Sequence, residues 1–104
     1  MMIHEPIFKD NRQIGDIFLL KDEKLKSVWE IQYNIHPDYW GQGIMSRELP
    51  KFLKLHRNKN IGAFVKNNIV SEKLLTNNGF VEFPFKAKSL AKFYLKTKER
   101  LWNP

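Results

Sequence analysis

From Val28 to His36 apolar and polar residues alternate without a break, Trp29, Ile31, Tyr33 and Ile35 against Glu30, Gln32, Asn34 and His36. Period two predicts a strand with one face on a core. Ile3 to Phe8 and Ile14 to Leu20 are shorter strand candidates; the turn residues Asp10-Asn11-Arg12 between them predict a hairpin. Lys21 to Ser27 is polar and predicts a connection. From Gln42 the period changes: Ile44, Met45, Leu49, Phe52, Leu53 and Leu55 fall on one helical stripe that ends in the polar run Arg57-Asn58-Lys59-Asn60. Pro50 lies inside it, where it removes a hydrogen bond and crowds the preceding turn, so a kink near Arg47 or a late helix start is expected. Ile61 to Lys66 reads as a strand and Ile69 to Asn77 as a short helix. Asn78-Gly79 caps that helix, with Gly in the left-handed conformation. Phe80 to Phe85 and Leu90 to Thr97 close the chain as two strands before a polar tail.

The junction between the alternating strand and the first helix holds the first candidate chemistry. Trp40-Gly41-Gln42-Gly43-Ile44-Met45-Ser46 carries two glycines that let the backbone approach an anion closely. The unpaired amides of the helix's first turn, with the positive end of the macrodipole behind them, suit a pyrophosphate. The same glycines equally serve a strand that merely turns into a helix.

The run Asn68-Ile69-Val70-Ser71-Glu72-Lys73-Leu74-Leu75-Thr76-Asn77-Asn78-Gly79-Phe80 adds the second half of the pattern. A strand, a Gly-rich turn, a helix, a second strand, an Asn three residues before a Ser, and a Gly-Phe closing the next helix together resemble the GNAT family of acyl-CoA N-acyltransferases. The resemblance runs over residues 14 to 82 and is strongest to the branch that acetylates the N-termini of ribosomal proteins. It implies an α/β (α+β) fold: a mixed, mostly antiparallel sheet whose central strands splay around a cofactor cleft. Against the family's usual layout the first strand and the two helices after it have no counterpart. Those helices commonly help to form the acceptor pocket, so the acceptor is expected to be held by an open face, a second subunit or a partner's own surface.

Composition narrows the alternatives. With 104 residues, 42% hydrophobic and 13% aromatic, the chain reads as a single globular domain, residues 1–104. No segment approaches the ~20 apolar residues of a membrane span, and the N-terminal residues lack a signal-peptide pattern, so the default expectation is cytoplasmic. The absence of cysteine excludes disulfides, Cys-ligated zinc and a cysteine nucleophile. His4, His36 and His56 show no paired ligand spacing, and no metal is expected. Eighteen Lys+Arg against eleven Asp+Glu give a net charge of +7, which suits the phosphates of coenzyme A as well as any other polyanion. No basic run is long enough to read as a nucleic-acid arm.

The resemblance assigns roles by position. Backbone groups of Tyr33, Asn34 and Ile35 would pair with the pantetheine arm of acetyl-CoA, and Gly41, Gln42, Gly43, Ile44, Met45 and Ser46 would take the pyrophosphate. Trp40 stands where Gln or Arg is usual, and Met45 where Gly or Ala is usual; Trp40 reads equally as a core or interface aromatic. Asn68 would bond the cofactor arm or fix the loop, and a helix N-cap is compatible with both. Leu75 occupies the place of the Tyr that many relatives use as general acid. Ser71, three residues after the Asn, is the candidate to protonate the departing thiolate; a first-turn serine making local hydrogen bonds is the alternative. Glu30 is the leading carboxylate for a base, ahead of His36 and Glu82, and a solvated residue on the polar strand face is its alternative.

These expectations describe an acetyl-CoA-dependent transfer to a primary amine, a protein N-terminus or a small amine. Two other readings stand beside it: a CoA-binding or regulatory domain with weak or no catalysis, and a basic module that binds nucleic acid or protein without a cofactor. A homodimer would cover apolar surface left by the short architecture.

Overall fold

Asp10 and Asn11 both take positive φ, 50° and 61°, and this pair of left-handed residues folds β1 (Met2–Lys9) back on β2 (Arg12–Lys21). In the computed structural model, which describes residues 1–21, 27–84 and 91–99, β2 pairs antiparallel with β3 (Val28–Ile35). A 3-10 turn (Pro37–Tyr39) and α1 (Ile44–Leu55) carry the chain across to β4 (Asn60–Val65), parallel to β3. Then α2 (Ile69–Asn77), β5 (Val81–Phe83) and β6 (Lys92–Lys96) complete a six-stranded sheet in the order β1-β2-β3-β4-β6-β5. Every pairing but β3–β4 is antiparallel, the mixed, mostly antiparallel α+β sheet expected from the sequence.

The sheet's buried face carries Ile17, Leu19, Ile31, Ile61, Ala63 and Tyr94 in one cluster with Leu49, Phe52 and Leu53 of α1 and Leu75 of α2. Both helices therefore cover the face to which period two assigns Ile31, Tyr33 and Ile35. Glu30, Gln32 and Asn34 face the other way, and exposed Phe64, Val81 and Phe83 also lie on the sheet.

Boundaries moved by a residue or two. The first helix starts at Ile44, two residues after Gln42, because Gly43 takes the N-cap in the left-handed region. Pro50 does not delay that start: α1 runs unbroken from Ile44 to Leu55 with Pro50 inside it. Pro50 is exposed, so water can satisfy the carbonyl that its missing N–H leaves open. Asn78 caps α2 and Gly79 follows at φ 85°, as expected. The final strands are shorter than their sequence ranges, and Phe85, Leu90, the middle of the Lys21–Ser27 connection and the end of the polar tail lie outside the described residues.

A polar latch holds α2 against β6. Tyr94 Oη donates to Glu72 Oε1 at 2.7 Å, and Lys92 Nζ lies 3.0 Å from the same oxygen and 3.8 Å from Glu82. The hydrogen bond to the Glu72 carboxylate, helped by burial, pushes the Tyr94 phenol up to about 12 from its ordinary 10.0. The native state thus holds this proton more tightly than the unfolded chain. The stabilisation is complete below pH ~10 and is lost as pH rises through about 12. Tyr94→Phe is expected to lower the melting temperature by a few degrees at pH 7 and to make the alkaline decline shallower. Thermal unfolding between pH 7 and 11 checks both; an identical alkaline limb would exclude the latch as its source.

Candidate active site

Parallel pairing of β3 with β4 lasts only over Val28, Trp29 and Glu30, opposite Asn60, Ile61 and Gly62. Beyond it β3 continues to Ile35 on β2 alone, through Ile31↔Leu19, Tyr33↔Ile17 and Ile35↔Gly15. The edge of β3 that faces β4 is therefore open after Glu30. His36 N donates to Ile14 O, and alternation along an antiparallel ladder then turns the amide and carbonyl of Asn34 toward β2 and those of Tyr33 and Ile35 toward the gap. Of the three residues assigned to the pantetheine arm, two offer main-chain groups there. Asn34 lines the cleft as well, and its main chain pairs with Asp16.

At the end of this gap lies a cleft of about 620 Å³. Tyr33, Asn34 and Ile35 of β3, Gly41, Gly43, Ile44, Met45 and Ser46 at the start of α1, and Asn68 and Ser71 of α2 all line it. Tyr39, Trp40, Val70 and Leu74 complete the wall. Gly41 and Gly43 hold φ of 78° and 68°, which L side chains rarely adopt. Gly43 has no side chain to cap α1, and the first helical bond runs from Arg47 N to Gly43 O. The amides of Ile44, Met45 and Ser46 have no intrahelical acceptor and sit at the positive end of the dipole.

Gln42 does not line the cleft. Its Oε1 accepts from Lys9 Nζ at 2.7 Å and its carbonyl from Arg47 Nη1 at 2.9 Å, which brings two cations to the glycine turn. Lys9 comes from the end of β1, a neighbour that local sequence does not disclose. Trp40, 69% exposed, donates its indole N–H to Ile35 O at 2.7 Å, so it is a rim residue and not a core one.

On the α2 side, Asn68 Oδ1 accepts from Ser71 N at 3.0 Å, the N-cap geometry. Ser71 Oγ lies 2.5 Å from Tyr33 Oη, a part-buried contact between residues far apart in the chain. Burial raises the Tyr33 phenol above its ordinary value, and the Ser71 hydrogen bond partly opposes the rise. Sequence reasoning assigned Tyr33 by its main chain alone. The signal for its side chain was its place between Ile31 and Ile35 on the buried face, where a phenol needs a partner. Leu75 is fully buried in the core and does not line the cleft.

Glu30 is not brought to this wall. Its carboxylate accepts from Gln32 Nε2 at 2.9 Å on the opposite face of the sheet, at the last residue before β3 and β4 part. His36 N-caps the 3-10 turn, with Asp38 N donating to its Nδ1 at 3.2 Å, and Glu82 lies 3.8 Å from Lys92. Among the described residues no carboxylate or imidazole lines the cleft, no group of His, Asp and Glu could hold a metal ion, and no helix is long and apolar enough to cross a membrane.

Solved acetyltransferases, among them one of the GNAT family from Streptococcus pneumoniae, share the fold of this chain. Another is RimL, a ribosomal L7/L12 α-N-protein acetyltransferase solved with coenzyme A, at TM-score 0.78 and 18% identity over 92% of this chain. An acetyltransferase from Salmonella typhimurium, which modifies the N-terminal serine of ribosomal protein L7/L12, aligns at TM-score 0.73 and 20% identity over 94%. Spermidine N-acetyltransferase SpeG from Vibrio cholerae, as its F149A mutant, aligns at TM-score 0.77 and 19% identity over 93%. At these identities the likeness is one of fold. The chain spans 62%, 64% and 66% of their respective lengths. No protein-family model matches it, and no curated protein sequence matches it significantly.

Proposed function

We propose that this chain is an acetyl-CoA-dependent N-acetyltransferase that passes the acetyl group directly to a primary amine. The observation that carries the reading is the opening of β3 from β4 after Glu30, next to the bare first-turn amides of α1. A pantetheine arm can take the main-chain groups of Tyr33 and the amide of Ile35, whose carbonyl accepts from Trp40, as an added strand would, while its pyrophosphate meets Ile44, Met45 and Ser46 with Lys9 and Arg47 close by. Acetyl-CoA supplies the activated acyl group as a thioester. Asn68 holds the first turn of α2, and Ser71 presents a hydroxyl to the departing sulfur.

With no base among the described residues of the cleft wall, proximity and oxyanion stabilisation by main-chain amides carry most of the rate. That favours an α-amine, roughly 10% neutral at pH 7 with a pKa of ~7.7–8, over a lysine at ~10.4. A protein N-terminus is therefore the preferred acceptor, in keeping with the ribosomal-protein relatives; the spermidine relative keeps a small polyamine as the second candidate. Glu30, facing the far side of the strand gap, collects the acceptor's proton through water in this reading. Exposed Phe64, Val81 and Phe83 are compatible with a second copy on the open sheet face.

Calorimetric titration with acetyl-CoA, paired with thiol release in the presence of peptides bearing a free N-terminus, tests the proposal. Binding and release together are expected. Binding without release would leave a cofactor-binding domain, and salt-dependent nucleic-acid binding with no response to acetyl-CoA would leave a basic interaction module. Gly43→Val sharpens the test. A β-branched residue at φ 68° costs about 1–2 kcal/mol in the left-handed region, and its side chain enters beside Arg47 over the amides. Affinity for acetyl-CoA is expected to fall at least about tenfold, equivalent to ~1.4 kcal/mol. Unchanged affinity would move the pyrophosphate elsewhere.

A further inference from the structure

The contact between Tyr33 and Ser71 joins β3 to α2 across the cleft. We propose that Tyr33 is a positioning residue for the transfer: its phenol donates to Ser71 Oγ and so turns the Ser71 proton toward the thioester sulfur. The inference rests on the acetyltransferase reading above and assigns a role to a side chain that this reading does not use.

Three observations carry it. Ser71 is fixed at its backbone, because Asn68 Oδ1 accepts its amide, so the hydroxyl rotor is its remaining freedom. A serine in the first turns of a helix ordinarily spends that rotor on a nearby main-chain carbonyl. Here Oγ is instead 2.5 Å from Tyr33 Oη. A phenol is the stronger donor of the two hydroxyls. When Tyr33 donates, one lone pair of Oγ is filled and the serine's own O–H is left to point away from the ring into the cleft that both residues line. Burial holds the phenol above its usual pKa, so it keeps its proton throughout the neutral range.

The chemistry balances without moving the tyrosine proton. The acceptor nitrogen adds to the thioester carbonyl, forming the N–C bond. The C–S bond then breaks with its electron pair on sulfur, and sulfur takes the Ser71 proton. The proton lost by the nitrogen passes through water to Glu30 and on to solvent, Ser71 regains a proton from solvent, and amine plus thioester become amide plus thiol.

The test compares wild type, Tyr33→Phe, Ser71→Ala and the double variant in thiol-release kinetics. Y33F keeps the ring and the main-chain groups that face the cofactor. It is expected to lower kcat about tenfold with KM for acetyl-CoA nearly unchanged, and the double variant to be no slower than S71A. A Y33F enzyme with wild-type kcat, or one that loses only in KM, overturns the role of Tyr33 while leaving Ser71 in place. S71A at the wild-type rate overturns the Ser71 assignment and this inference with it, and a wild type that binds acetyl-CoA without releasing thiol overturns the acetyltransferase reading itself. A second arm covers a Y33F chain that folds poorly. 3-Fluorotyrosine at position 33 keeps the shape and makes the phenol more acidic, so the alkaline fall in kcat should move to lower pH; an unmoved limb overturns the proposal.

Discussion

Ser71→Ala is expected to lower kcat for acetyl transfer about 100-fold, the low end of the 10²–10⁴ range for a positioned acid or base. The low end applies because a thiol, with a pKa near 8.5, is already a fair leaving group and needs less help than an amine or alcohol. The substitution removes only Oγ. The amide that Asn68 caps is main chain and survives, so α2 keeps its N-terminus and the cleft its shape. Affinity for acetyl-CoA should therefore be nearly unchanged, and the loss should appear in kcat and kcat/KM together. Thiol release at saturating acetyl-CoA, with a melting curve beside it, is the measurement. A normal rate would remove Ser71 from the chemistry and return it to helix capping.

Gly15→Ala is expected to have the largest effect on the fold and the site together. Gly15 lies on β2 opposite Ile35, and a Cβ there would strike the carbonyl oxygen of Asn34 and meet the Ile35 side chain at 2.7 Å and its Cα at 3.3 Å. One of these neighbours is a backbone oxygen, which cannot rotate away. The strand that must move is the end of β3 that lines the cleft. Overpacking of this kind costs about 1–3 kcal/mol, which for a domain this size lowers the melting temperature by roughly 4–8 °C per kcal/mol. Displacement of Tyr33 and Ile35 should weaken acetyl-CoA binding as well. Denaturation and calorimetry on the same sample separate the two losses; a variant with wild-type stability would show that β2 and β3 can part here without cost.

Gly15 also shows where reading the sequence stops. Nothing in Ile14-Gly15-Asp16 distinguishes this glycine from an ordinary weak point in a strand, because its constraint comes from Asn34 and Ile35 across the ladder. Gly41 and Gly43, by contrast, were legible as a turn, since they fall where period two gives way to a helical stripe, and both take positive φ. Asn68 as a cap was legible for the same reason. The limits of α2, Ile69 to Asn77, coincide with those read from the sequence, because cap, apolar spacing and terminal glycine are all local. Gln42 was placed in the site by the resemblance, and its bonds to Lys9 and Arg47, from β1 and from the first turn of α1, are what its side chain and carbonyl make beside the cleft.

What the residues determine unaided is therefore the order and type of the elements, the glycine turn with its bare amides, and the cap position of Asn68, all set by contacts within a few positions of the chain. Tertiary structure alone decided that β3 leaves β4 after Glu30, that Glu30 faces away from the cleft wall, and that the Tyr33 phenol meets Ser71. Those outcomes depend on strand register and on how α2 packs over the sheet, and both are fixed by burial of apolar side chains drawn from distant parts of the sequence.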